Sequence, residues 1–271
     1  MLLAHISDLH FRSEGTKLYD FIDTNAKNAQ LINHINSLSE KPDALIITGD
    51  IVNCGNEAEY QYARKVLQYL NLPIYLIPGN HDDKELFVRY FHDLCPVMGN
   101  DPENLFYAVD TDHARLYFID TSQKGNPAGH ITAATLEWLS NELSTHDKPS
   151  YIFMHHPPVD FGNCQMDLIR CLNGDQLLPL IDQHPHLERI FCGHVHRTMI
   201  AQYKQAIIMS IPGTVHQVPY HSTDLTDRYN EEEGMMFMHR LLPTTGLVSY
   251  NMPLAAIPSY LYQSSISCPG N

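Results

Sequence analysis

The stretch YLIPGNHDDK, Tyr75 to Lys84, joins a short apolar run to a block of polar groups, and its reading decides the fold. Tyr75 to Ile77 has the composition of a buried strand. Pro78-Gly79 breaks the strand. Asn80, His81, Asp82 and Asp83 then follow without a gap. Asn and Asp are common turn formers, so an exposed turn accounts for the segment taken alone. Its neighbours along the chain point elsewhere.

Four more short apolar runs end in the same way. Leu2–Ile6 leads into SDLH, with Asp8 and His10, and Ala44–Thr48 leads into Gly49-Asp50. Tyr151–Met154 is followed by HHPP, with His155 and His156, and Arg189–Cys192 by GHVH, with His194 and His196. Helical patterns lie between them at about Asn25–Leu38, Glu57–Leu70, Lys84–Leu94, Thr132–Leu143 and Asp175–Gln183. Strand–helix alternation predicts βαβ units and a mainly parallel sheet, an α/β fold. The carboxyl ends of parallel strands share one edge, where ligands bind. Five strand ends, that of Ile74–Ile77 included, therefore deliver Asp, His and Asn to a single rim. Gly49, Gly79 and Gly193 each directly precede a candidate ligand, as a sharp exit from a strand requires.

Position, more than the motifs themselves, carries this reading. With 17 His in 271 residues, short His motifs arise by chance. Asp182-Gln183-His184 and His184-Pro185-His186 follow a helix instead of a strand, and read as surface decoys.

Two features interrupt the alternation. Leu105–Thr121 reads as a hairpin turning at Asp112-His113, and from Ile200 onward only strands follow, in MIAQYK, AIIMSI, GMMFMHRLL and LVSYNM. The chain divides on this basis into residues 1–199 and 200–271. His221–Gly234 is polar and reads as a flexible crossing or lid. There is no internal repeat or low-complexity segment.

The formal charge is −14, from 17 Lys+Arg against 31 Asp+Glu, which disfavours nucleic-acid and anionic-membrane partners. The six Cys are scattered with no CxxC, and neither a disulfide framework nor a zinc knuckle is expected. The N-terminal MLLAHISDLH lacks the pattern of a signal peptide, and no run approaches the length of a membrane span. A reduced, cytoplasmic enzyme is the expectation.

Asp8, His10, Asp50, Asn80, His155, His194 and His196 make seven donors of hard oxygen and imidazole nitrogen. That set suits Fe, Mn, Zn or Co. Seven donors are too many for one ion, and one bridging carboxylate gives each of two ions four. Two ions about 3.5–4 Å apart can clamp both the attacking and the leaving oxygen of a phosphoryl transfer. Two divalent ions, two aspartates and one hydroxide leave a single positive charge, matched to a phosphodiester.

DLH, GD, GNHD, HHPP and GHVH in this order resemble the calcineurin-like metallophosphoesterases. MLLAHISDLHFRS, GDIVNCG, LIPGNHDDK, IFMHHPP, IPGTVHQVPY and the tail SISCP look more narrowly like bacterial glycerophosphodiesterases of the class III cyclic-nucleotide phosphodiesterase branch. The resemblance implies a four-layer αββα sandwich, with the strands after residue 199 completing the second sheet and supplying a cap or oligomerisation extension. It implies a first metal held by Asp8, His10, Asp50 and His196, and a second held by Asp50, Asn80, His155 and His194. His81 would face the phosphate and protonate the leaving alkoxide, and His216 would be a second phosphate contact. The implied reaction is attack of metal-bound hydroxide on glycerophosphodiesters, such as glycerophosphoethanolamine or glycerophosphocholine, releasing glycerol 3-phosphate and an alcohol. Homo-oligomers, as dimers or trimers of dimers, are implied as well. The alternatives are hydrolysis of 2′,3′- or 3′,5′-cyclic nucleotides and a non-catalytic metal-binding scaffold.

Other residues have plainer readings. His156 is expected to be packed or hydrogen-bonded, and His5 to be a satisfied core or interface histidine. Asn53 and Cys54 are candidates to line the leaving-group pocket, with a plain free thiol as the equal reading of Cys54. Arg12 and Tyr19 are candidates for the pocket mouth. The apolar tail Met252–Gln263 reads as suited to packing on another surface.

Overall fold

The structure, a computed structural model, describes residues 1–221, 223–225 and 228–254. In its first half the chain forms β1 (Leu2–Ile6), α1 (Thr24–Ser37), β2 (Ala44–Thr48), α2 (Glu57–Leu67), β3 (Ile74–Ile77), α3 (Lys84–Phe91), β4 (Phe106–Asp110) and β5 (Arg115–Ile119). It continues with α4 (Ala133–Leu143), β6 (Ser150–Met154), α5 (Cys164–Leu168), α6 (Leu178–Gln183), β7 (Leu187–Cys192), β8 (Met199–Tyr203), β9 (Ala206–Ser210), β10 (Met235–Leu242) and β11 (Gly246–Pro253). Most of the tail and the SISCP motif lie outside the described residues.

The parallel strands divide between two sheets, where the alternation alone suggested one. The first has the order β11-β10-β1-β2-β3 and the second β4-β5-β6-β7-β9-β8. β1, β2 and β3 run parallel, with the β10–β11 hairpin added antiparallel beside β1. β5, β6, β7 and β9 also run parallel, flanked by β4 and β8 as antiparallel edges. The strands after residue 199 are thus the ends of both sheets. β1, β2 and β6 are buried at every residue. A strand buried on both faces is a continuous apolar run whether helices or a second sheet cover it.

The sheets meet across an aromatic layer. Tyr107, Phe118, Phe153 and Phe191 stack across β4, β5, β6 and β7 with centroids 4.7, 5.1 and 5.1 Å apart. On the outer face of the second sheet, Tyr117, Ile152 and Ile190 pack with Leu139 and Leu143 of α4 and Ile181 of α6. Leu31, Ile32 and Ile35 of α1 join the core of the first sheet. Each such side chain contributes about 1.5–3 kcal/mol on burial. Helices outside two facing sheets make the four layers.

Helix ends follow local chemistry. Asp23, Asn56, Asp83 and Thr132 cap α1, α2, α3 and α4, each accepting from a backbone N–H of the first turn. The pattern over Asp175–Gln183 splits into a 3-10 turn, Gly174–Leu177, and α6, with Pro179 in the first turn of α6. α5 has five residues, too few for a readable helical period.

The carboxyl ends of β1, β2 and β3 adjoin those of β6 and β7, so the rim belongs to both sheets. Asp8 N donates to Gly49 O (3.1 Å), Gly193 N to His155 O (3.0 Å) and Thr214 N to Ser7 O (3.2 Å). Among the described residues no helix is long and apolar enough to cross a membrane.

Candidate metal centre

Backbone strain converges on the rim. Asp8 (φ 58°), His10 (46°), Asp50 (50°), His194 (66°) and His196 (49°) all occupy the left-handed region. This conformation is uncommon outside glycine, and residues held in it cluster at functional sites. It turns each side chain back over the end of its strand. Gly49 (φ 90°) makes the exit from β2, and a Cβ there would sit 2.5 Å from His155 Nδ1. A Cβ on Gly193 would lie 2.8 Å from Thr48 O and 2.9 Å from Asp8 Oδ2. Neither position admits a side chain.

Asp8, His10, Asp50 and His196 bring four buried donor atoms within 4.8 Å of one another. His10 Nε2 is 3.2 Å from His196 Nε2, and His196 Nε2 is 3.2 Å from Asp8 Oδ1. On the other side of Asp50, His155 Nε2 lies 3.3 Å from Asp50 Oδ2 and 3.2 Å from Asn80 Oδ1. The His194 ring stands 5.1 Å from that of His155, and its buried Nε2 has no hydrogen-bond partner among the described residues. All seven predicted donors therefore lie together around Asp50. Facing imidazole nitrogens, two carboxylates and an orphaned buried nitrogen fit divalent cations, and the donor set is the one such ions prefer.

The four polar residues after β3 separate into two pairs. Asn80 and His81 line a cavity of about 360 Å³ with His10, Asp50, His194, His196 and His216. Asp82 and Asp83 hold the loops. Half-buried Asp82 accepts from Gly79 N (2.9 Å), Ile51 N (3.1 Å), Val52 N (3.2 Å) and Tyr60 Oη (3.2 Å), tying the turn after β3 to that after β2. Asp83 caps α3 through Leu86 N. His81 N donates to Asp50 Oδ1 (2.9 Å), and its Nδ1 lies 2.6 Å from Asn53 O.

Charge and burial compete here. Burial alone would raise the Asp8 carboxyl, but His196 holds it at about 2. Asp50 is likewise held well below its usual value against burial, by His155 first. Burial opposes the protonation of His155, yet Asp50 lifts it to about 9. Burial lowers His10 and His194 to about 3, with His81 and His155 respectively adding to the effect. Asp82, its carboxyl desolvated near Asp50, is pushed up to about 7.

The remaining candidates are placed as follows. His216 lines the cavity, and its carbonyl accepts from His196 Nδ1 (3.1 Å). Asn53 does not line this cavity; its carbonyl orients His81 and its side chain donates to Cys54 Sγ. Cys54 is an exposed free thiol beside Arg12 Nη1 (2.9 Å). His156 is buried, with Thr121 Oγ1 at 2.8 Å and Pro127 O at 3.2 Å, a packed and hydrogen-bonded residue. Tyr19 lines the mouth, stacked on Tyr229 at 4.0 Å and 9°. Gln165, Arg228 and Tyr229 also line the cavity and were not foreseen. They come from the five-residue α5 and the polar His221–Gly234 stretch, where no periodicity marks an inward face. The available signals were the reading of His221–Gly234 as a crossing or lid and of Tyr19 as a mouth residue.

Two mixed sheets between helices, with Asp, His and Asn pooled where their rims adjoin, define the architecture of a metallophosphoesterase. A family model for calcineurin-like phosphoesterases matches residues 1–198. The chain is 51% identical over 271 residues to the glycerophosphodiester phosphodiesterase GpdQ of Enterobacter lignolyticus, covering 99% of this chain and 97% of that protein. It is 33% identical to a probable GpdQ of Arcobacter nitrofigilis, over 80% of each. A dimetal phosphatase from Danio rerio shares the fold, with TM-score 0.64 at 13% identity over 94% of this chain and 99% of that one. The chain belongs to the calcineurin-like phosphoesterase family.

Proposed function

We propose that this chain is a dinuclear metal-dependent phosphodiesterase that hydrolyses glycerophosphodiesters to glycerol 3-phosphate and an alcohol. The observation that carries the reading is the shared position of Asp50, 3.8 Å from His10 Nε2 on one side and 3.3 Å from His155 Nε2 on the other. Asp8, His10, Asp50 and His196 would hold one ion, and Asp50, Asn80, His155 and His194 the other. Divalent ions so held would supply charge neutralisation for the phosphate and would lower the pKa of water toward neutrality. Asn80 is a neutral donor, so the second site is the weaker. Iron, manganese, zinc and cobalt all suit the donors.

The protein's own groups orient the reaction. Asn53 O can only accept, so His81 carries a proton on Nδ1 and turns Nε2 to the cavity. With Nε2 protonated as well, His81 would give that proton to the departing alkoxide and remain the neutral Nδ1–H tautomer held by Asn53 O. His216, buried on the same wall, would contact the phosphate oxygens. The 51% identity to a glycerophosphodiester phosphodiesterase supports the choice of substrate.

A second reading, cyclic-nucleotide hydrolysis, is favoured by the Tyr19–Tyr229 stack at the cavity mouth, which offers an aromatic shelf for a base. Rates on glycerophosphoethanolamine, glycerophosphocholine and cyclic AMP, measured side by side with added manganese, separate the two. A metal-binding scaffold would show no metal-dependent turnover of any of them, nor of bis(p-nitrophenyl) phosphate. A cytoplasmic location fits the five free cysteines among the described residues. We also propose a homo-oligomer, tested by sedimentation.

A further inference from the structure

Two histidines lie beyond the reach of any proposed ligand. His5, within β1, and His239, within β10, are both fully buried. His5 Nδ1 is 3.0 Å from His239 Nε2. His239 Nδ1 meets Ser249 Oγ on β11 at 2.8 Å, and His5 Nε2 meets Thr48 Oγ1 on β2 at 2.9 Å. Four side chains thus form one hydrogen-bonded line across β11, β10, β1 and β2. The line runs on the face turned to the second sheet, where the His5 ring stands edge-on to Phe153 (5.4 Å) and Phe191 (5.9 Å).

Packing alone does not call for imidazole in that layer. A buried polar group is costly unless it is paired. Here both nitrogens of both rings are paired, and burial keeps both histidines neutral. A neutral imidazole donates from one nitrogen and accepts at the other. The protons therefore have two consistent arrangements, pointing along the line in one direction or the other. Either one fixes the side chain of Thr48.

Thr48 is where the line meets the metal centre. It ends β2, and its carbonyl accepts from both His155 Nδ1 (2.7 Å) and Ser7 Oγ (2.9 Å). The next two residues are Gly49 and Asp50, both left-handed. We propose that His5 and His239 are positioning residues for the metal centre. The line Ser249–His239–His5–Thr48 locks the end of β2, so that the Thr48 carbonyl holds His155 with Nε2 toward Asp50 and the Gly49–Asp50 turn stays in place. This rests on the reading that His155 and Asp50 are metal ligands.

The test is manganese binding to the full metal-free chain, by calorimetry, with thermal unfolding of each metal-free variant alongside. Thr48→Val keeps shape and carbonyl but removes the hydroxyl, Thr48→Ser keeps the hydroxyl, and His239→Phe breaks the line at a distance. Thr48→Val and His239→Phe should weaken the weaker of two manganese sites about tenfold, the lower end of what losing a ligand's supporting hydrogen bond costs. Thr48→Ser should bind like the parent. Folded variants with both affinities within about twofold of the parent would overturn the proposal. Loss of cooperative unfolding in both variants would overturn it too, because the line would then serve the core alone. If the parent itself takes up fewer than two manganese ions, the dinuclear reading fails, whatever the variants do.

Discussion

His81 Nδ1 lies 2.6 Å from the backbone carbonyl oxygen of Asn53, while the His81 backbone N–H donates to Asp50 Oδ1 at 2.9 Å. The first contact sets which nitrogen carries the proton, and the second fixes the residue beside the proposed bridging carboxylate. His81→Ala removes the ring but not the backbone bond. Turnover of bis(p-nitrophenyl) phosphate should fall by about 10²–10⁴, the range of a lost general acid. Elemental analysis should find metal content unchanged. Parallel loss of metal would make His81 a ligand and contradict its placement.

Asp50 Oδ2 is approached by a ring nitrogen from each proposed site, His10 Nε2 at 3.8 Å and His155 Nε2 at 3.3 Å. Asp50→Ala should therefore abolish tight binding of both ions, where His155→Ala should spare one. Metal-to-protein ratios after dialysis decide this. A ratio near one for Asp50→Ala would show that the carboxylate is not shared.

Asp82 accepts from Gly79 N, Ile51 N, Val52 N and Tyr60 Oη, and none of these bonds involves a proposed ligand side chain. Asp82→Ala leaves buried donors unpaired, at about 1–3 kcal/mol each and short of additive. Urea unfolding of the metal-free chain should show a loss of about 3 kcal/mol or more. Tyr60→Phe removes one hydroxyl and should cost about 1 kcal/mol. Equal small losses in the two variants would mean that the Asp82 cluster does not join the loops.

The strand ends were legible because two patterns coincide there. An apolar run marks the strand, and a donor follows it immediately, as at Thr48-Gly49-Asp50 and Cys192-Gly193-His194. The division into two sheets was not legible, since β2 and β6 are buried throughout and read alike under helix or sheet. In the block after Ile77 all four residues are polar, and only position in space separates Asn80 and His81 from the structural Asp82 and Asp83. Arg228 and Tyr229 reach the cavity from an irregular crossing, where spacing carries no information about direction. His5 was readable as a satisfied core histidine, but its partner His239 lies 234 residues away. Nothing local links the two.

The acid limb of stability follows from buried histidines, those outside the cluster adding to His10 and His194 within it. Burial lowers His5, His156 and His239, the last to about 3, below the usual value of 6.5. Between those values the unfolded chain binds protons that the folded chain does not, so stability falls as pH drops. Each fully titrating group adds about 1.4 kcal/mol per pH unit to the slope. Asp82, raised to about 7, and Asp120, also raised by burial, work against this over part of the range. His155, raised to about 9 by Asp50 against burial, has the opposite sign. Its contribution is complete below pH 6.5 and is lost as pH rises through 9. Metal-free protein should therefore be most stable near neutrality, measured by urea midpoints across pH 4 to 10. His5→Phe with His239→Phe should make the acid limb less steep and leave the alkaline one. An acid limb of unchanged slope in that double variant would place the titrating groups elsewhere.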